Sequence, residues 1–192
     1  QKMNRNIVVI FVLLIFSISL LSCSQREKEI QKYRKIGTEI AQDTQKYLAA
    51  NLMENMKSGG VEAAIPFCNT MANPLTSEME VKYAAKIKRV SLKNRNTNNG
   101  ASQHESEILN EYNDLLNSGK SLDPIVEIKA NNEVQYYAPI IMQEKCLACH
   151  GSLDKEVTRE TDSLIKSLYP NDKATGYKAG ELRGIWSITI KK

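Results

Sequence analysis

Leu182-Arg183-Gly184-Ile185-Trp186-Ser187-Ile188-Thr189-Ile190 sits at the end of the chain and settles its architecture. Leu182, Gly184, Trp186, Ile188 and Ile190 fall on one face, and Arg183, Ile185, Ser187 and Thr189 on the other. That two-residue period predicts a β-strand. Working back from it, Val157 to Tyr169 predicts a short helix stopped by Pro170. Glu133 to Ile141 and Pro124 to Ala130 read as two strands joined at Asn131-Asn132, a hairpin turn. Glu105 to Leu116 has helical spacing through Ile108, Leu109, Tyr112, Leu115 and Leu116, and closes at Asn117-Ser118-Gly119. Residues 73–103 are mostly polar, with a short strand predicted over 87–92 and a polar loop over 94–100.

The N-terminal half is helical. Ile30, Tyr33, Gly37, Ile40, Thr44, Tyr47, Leu48 and Leu52 recur at three- and four-residue spacing. They predict a long amphipathic helix ending near Ser58-Gly59-Gly60. A second stripe follows through Val61, Ala64, Ile65, Cys68, Met71 and Ala72, with Cys68 on the apolar face. Pro66 predicts a late start or a kink there. Helices followed by an antiparallel sheet make the fold class α+β.

The chain has 192 residues and a formal net charge of +4. That length fits one domain plus a short segment. Nine Gly, five Pro and four Cys exclude collagen-like, low-complexity and disulfide-dense chains. The positive charge is weak and scattered, so no nucleic-acid partner is expected.

Lys2 and Arg5 precede an apolar run from Ile7 to Leu21. The run is shorter than the roughly 20 residues that a spanning helix needs, and suits an export signal. Leu20-Leu21-Ser22-Cys23 resembles a bacterial lipobox, which makes Cys23 the lipidated residue. The expected organisation is a lipoprotein signal peptide at 1–22, a tether at 23–29 and one folded domain at 30–192. An uncleaved N-terminal anchor is the alternative. Either way the domain is exported, facing the periplasm or the cell exterior, and held to a membrane.

Cys146-Leu147-Ala148-Cys149-His150 has the C-x-x-C-H spacing of c-type haem attachment. Two thiols a fixed short distance apart can add to the two vinyl groups of one porphyrin, and the adjacent His150 is delivered to the iron. Export agrees, because covalent attachment takes place outside the bacterial cytoplasm. The competing readings are a zinc site built from Cys146, Cys149 and Cys68 with His104 or His150, and a redox-active Cys146–Cys149 disulfide. For the sixth iron position the residues leave His104, Met71, Met79, Met142 and Cys68 open. A Cys on an apolar helix face is equally well a small core residue. A methionine raises the haem potential, whereas a thiolate lowers it by stabilising ferric iron.

Four stretches resemble a known family. They are Ala63-Ala64-Ile65-Pro66-Phe67-Cys68, then Ser91 through Asn99, then Pro139-Ile140 through Cys146-Leu147-Ala148-Cys149-His150-Gly151. The last runs over Tyr169-Pro170, Asp172, Ala174-Thr175-Gly176-Tyr177 and Gly180-Glu181-Leu182-Arg183-Gly184. Together they are similar to the PAS-like single-haem c-type cytochrome domains, first catalogued as a domain of unknown function. Such domains occur as free exported proteins and as sensory modules of kinases and chemoreceptors. The resemblance spans roughly residues 35–190. It implies a PAS-like antiparallel sheet with flanking helices and one covalent haem c, with His150 and Cys68 as axial ligands. The family loop usually reads Arg-Asn-Pro-x-Asn, and here Thr97 stands in place of the proline. Arg95 and Asn96 are candidates for the haem pocket or for a structural loop, with the loop expected and Asn capping local backbone groups. Arg183 could pair a haem propionate, but a solvated strand residue is the expectation. Tyr169 and Tyr177 are expected to pack in the core.

The expected function is single-electron transfer by an exported, membrane-tethered monohaem cytochrome with an unidentified redox partner protein. The alternative is a haem-based redox or gas sensor acting through a partner. Enzymatic activity is not expected, because only His104 offers an acid–base group for an open distal site.

Overall fold

The computed structural model describes the backbone of residues 5–192 and the side chains of residues 24–192. The leader expected at 1–22 and the lipidation expected at Cys23 lie outside the residues whose side chains are described. Among the described residues, no helix is long and apolar enough to cross a membrane.

The first element, α1 (Arg5–Tyr83), folds back on itself at Gly59-Gly60, where the sequence predicts the break. Gly60 has φ +66°, a left-handed conformation that costs little only without a Cβ. The limbs on either side of it are tied together along their length. Tyr47 Oη donates to Glu78 Oε2 (2.5 Å), and Tyr83 Oη (2.5 Å) and Lys82 Nζ (3.3 Å) donate to Asp43 Oδ2.

The second limb corrects two expectations. It neither starts late nor kinks at Pro66, and it does not give way to a loop after Ala72. It continues through Pro66 and Pro74 to Tyr83. Leu75, Thr76 and Met79 are buried at helical spacing on this extension. The Thr70 and Thr76 hydroxyls donate back to the Pro66 and Ala72 carbonyls. Burying a Leu and a Met contributes about 1.5–3 kcal/mol each, enough to offset a proline's cost of about 3 kcal/mol.

Four strands follow: β1 (Ala85–Val90), β2 (Ile125–Ile128), β3 (Glu133–Ile141) and β4 (Leu182–Lys191). They form one antiparallel sheet in the order β1-β4-β3-β2. Strand β3 has the predicted bounds, and β1 begins two residues before its predicted start. Between β1 and β2 lies α2 (Gln103–Asn117), opened by a capping box in which Ser102 and Glu105 satisfy each other's backbone N–H. Two helices separate β3 from β4: α3 (Leu147–His150) and α4 (Arg159–Leu168), the latter capped by Thr158.

Both faces of the sheet are covered. On one, Tyr33, Ile40 and Met79 of α1 pack on Ile87, Tyr136, Trp186 and Ile188. On the other, Ile108, Leu109 and Tyr112 of α2 pack on Val90, Tyr137 and Ile185. Gly37 is the point of closest approach, since a Cβ there would run into the Tyr136 ring.

Strand β4 departs from its predicted alternation at one end. Ile140 pairs with Gly184 and Ile141 with Leu182, which leaves Arg183 as a bulge. The extra residue turns Leu182 to the side of Ile185, not that of Trp186. A period-two reading runs straight through such a bulge and puts Leu182 on the wrong face.

Candidate functional site

The site is built where β3 ends. The chain passes through a 3-10 turn (Glu144–Cys146) into α3, which carries Cys149 and His150 one turn after Cys146. His150 is held by the segment that leads into β4. Its Nδ1 lies 2.7 Å from the Ala174 carbonyl, and its own carbonyl accepts from Tyr177 N at 2.9 Å. A carbonyl can only accept, so Nδ1 carries the proton and Nε2 keeps its lone pair. His150 sits well below the usual histidine range. Burial is the largest cause, with Arg95 and Arg183 adding to it, and the Ala174 bond pulls the other way. The ring is therefore neutral, as a metal ligand must be.

Arg95 locks this arrangement. Its Nη2 donates to Cys149 O (2.6 Å), Asp172 Oδ2 (3.1 Å) and Ala174 O (3.2 Å). Asp172 Oδ1 accepts from Ala174 N, and Lys173 N donates to Asn94 O. One guanidinium thus ties α3 to two loops that are far apart in sequence. The Arg95 and Asp172 side chains are only 12% and 4% exposed. Asn96 behaves as its sequence predicts: its side chain accepts from Asn98 N and caps the turn Thr97–Asn99.

Arg183 corrects the expectation of a solvated strand residue. The bulge leaves it half-buried, with Nη1 donating to Lys93 O at 3.0 Å and its guanidinium 5.5 Å from the centre of the Tyr177 ring. Lys93 Nζ lies over the same ring at 4.2 Å and donates to Thr175 O. Tyr177 is buried and meets His150 edge-on, with centroids 6.4 Å apart. Tyr169 is buried as expected.

Cys68 lies on the second limb of α1, one turn after the buried Ile65. Ile65 packs with Ile165 and Tyr169, and Cys149 lies against the same cluster. Burial pushes the Cys149 thiol up, with Arg95 opposing. Burial pushes the Cys68 thiol up, and Arg89 and Arg95 oppose this. Among the described residues Cys68, Cys146 and Cys149 are free thiols.

The remaining candidates fall elsewhere. His104 stands on α2, with Nε2 2.9 Å from Glu127 Oε1 and its ring edge-on to Tyr137. Among the described residues no three His, Cys, Asp or Glu side chains converge to hold a metal ion, so the zinc set is not assembled. Met71 is exposed, and Met79 is buried between α1 and the sheet. Met142 packs with Leu147, Ala174 and Tyr177, beside His150. Sequence reasoning gave no role to Asp172, Ala174, Lys93 or Arg89. Asp172 and Ala174 lie within the last of the four quoted stretches. Nothing local marks Arg89.

A family model described as Tll0287-like matches residues 24–191. The chain belongs to the Tll0287-like family. The matched span of this Tll0287-like chain takes in Cys68, Arg95, the Cys146–His150 motif, Asp172 and Arg183. Among solved structures, it is similar to the crystal structure of the cyanobacterial haem-protein Tll0287, with 27% identity and a TM-score of 0.50. That match covers 62% of this chain and 71% of the other. No curated protein matches the chain.

Proposed function

We propose that this chain carries one haem c, bound through Cys146 and Cys149, and passes single electrons. The observation that carries the reading is the His150 Nδ1–Ala174 carbonyl bond. It presents a neutral imidazole with Nε2 free, on the same short helix as the Cys149 thiol and one turn after that of Cys146. Likeness to a solved haem protein supports the same cofactor.

The residues suit the group. Thioethers from Cys146 and Cys149 would fix it, and His150 Nε2 would be the proximal ligand. When bound, the haem supplies a one-electron couple whose potential its axial ligands set. Arg95 holds α3 rigid through Cys149 O and Ala174 O, so the imidazole keeps its orientation. Cys68 would be the sixth ligand in this reading; burial pushes its thiol up, and Arg89 and Arg95 oppose this only in part. Met142 packs beside His150 and is the less suitable donor. A haem held by both His150 and Cys68 would favour electron transfer over catalysis, so no enzymatic role is assigned. Export with a lipid anchor at Cys23 and a redox partner protein complete the proposal.

A sensor reading draws on one observation: Cys68 sits on the limb beyond Gly60, so exchange of the sixth ligand would release that limb from the haem. Equilibrium titration of the reduced holoprotein with CO separates the two. Electron transfer predicts an unchanged absorption spectrum. Saturable CO binding that displaces a low-spin ligand contradicts it and establishes the sensor.

A further inference from the structure

The site holds more positive charge than its own acids neutralise. Arg95 and Arg183 bear on His150, Arg89 and Arg95 on Cys68, and Lys93 and Arg183 lie against the Tyr177 ring. Among the described residues Arg95 pairs with Asp172, and the other three make no ion pair with a carboxylate. Lys93 is exposed, reaches a carbonyl and keeps its water. Arg89 and Arg183 differ from it, because both are half-buried. Arg183 spends one nitrogen on Lys93 O and lies against Tyr177. Arg89 projects from β1 over the Trp186 ring, 6.0 Å from its centroid. The two strands are hydrogen-bonded neighbours, with Arg89 opposite Trp186 and the Arg183 bulge three residues away along β4. Arg95 adds a buried Nε without a partner.

Half-buried like charges with no anion between them are costly, because low-dielectric surroundings strengthen their repulsion and burial removes hydration. A fold keeps such a pair where an anion completes it. Guanidinium is the side chain best matched to a carboxylate, through two parallel N–H···O bonds. Haem brings two carboxylates, and the site has two half-buried arginines that lack one. We propose that Arg89 and Arg183 form the seat for the two haem propionates. This rests on the haem reading above. It makes the β4 bulge functional, because the bulge is what takes Arg183 out of the straight alternation of the strand and leaves it against Tyr177.

The test is resonance Raman spectroscopy of the full chain, matured with covalent haem, reading the propionate bending band. That band rises with the strength of hydrogen bonding to the propionates. Arg89→Gln and Arg183→Gln should each shift it to lower frequency, while Lys86→Gln on the exposed side of β1 leaves it in place. Arg183→Lys keeps the charge but not the fork, so it should give a smaller shift and covers the case in which Arg183→Gln fails to mature. A band that coincides with wild type in the arginine variants overturns the seat, and a shift in only one of them overturns the two-arginine arrangement. Wild-type chain without covalent haem contradicts the haem reading itself, and the proposal falls with it. Covalent haem with an unmoved band contradicts the proposal alone.

Discussion

The two histidines of this chain occupy opposite environments. His150 is half-buried, bonded to a carbonyl and flanked by arginines, and its proton affinity is depressed. His104 is 46% exposed on its side chain and bonded to Glu127, and its proton affinity is raised. Both partners favour the protonated ring, and at His150 burial beside Arg95 and Arg183 overrides the carbonyl. A carboxylate stabilises imidazolium, whereas burial beside cations removes it and leaves a neutral ring. The same residue type is a surface ion-pair partner at one site and suited to ligate a metal at the other. Neighbours assign the role.

Replacement of the two histidines breaks the comparison most sharply. His150→Ala should abolish the low-spin haem spectrum, while His104→Ala should leave it unchanged, as read by absorption spectroscopy of the matured protein. Equal effects would mean that the assignment of roles is wrong.

Loss of the Arg95 clamp should be nearly as damaging. Arg95→Ala leaves Asp172 as an almost fully buried carboxylate without its cation, which costs about 3–5 kcal/mol. Chemical denaturation against wild type measures it. A cost below about 1 kcal/mol would place the pair among ordinary surface bridges.

Cys68→Ala should keep covalent haem, change the spin state and raise the midpoint potential, because a thiolate ligand stabilises ferric iron. A spectrum identical to wild type would exclude Cys68 as ligand. At the opposite end of the sheet, Gly37→Val should cost about 1–3 kcal/mol by forcing the Tyr136 ring and α1 apart. It should leave the haem spectrum unaltered.

The smallest effect concerns His104. Its raised proton affinity contributes stability that is fully present below the unfolded histidine value near pH 6.5 and is lost as pH rises through the folded value. Solvent exposure limits this to a few tenths of a kcal/mol. Glu127→Gln should return the His104 NMR titration towards the ordinary range. His150 runs the other way. With its folded value depressed, stability is present above about pH 6.5 and falls as the medium is acidified.

Local signals carried most of the fold. The Gly59-Gly60 break, the β3 bounds and the α2 cap are each set by residues within a few positions of one another. What escaped was decided over distance. The polar stretch that begins at residue 73 reads as the end of the helix, but burial of Leu75 and Met79 carries the limb onward. The bulge at Arg183 depends on how β3 pairs, which β4 alone does not record. The site divides in the same way. Cys146, Cys149 and His150 were legible because their chemistry demands adjacency. The Arg95–Asp172 pair and the Ala174 carbonyl meet His150 only after two remote loops come together.

The most direct test of the central claim is a haem stain on a denaturing gel, combined with a pyridine haemochrome spectrum. It would use the full chain co-expressed with a cytochrome c maturation system in the periplasm. Haem that remains with the polypeptide after denaturation, at one per chain with a two-thioether spectrum, is the predicted result. A chain that runs free of haem, with Cys146 and Cys149 still titratable as thiols, would contradict it.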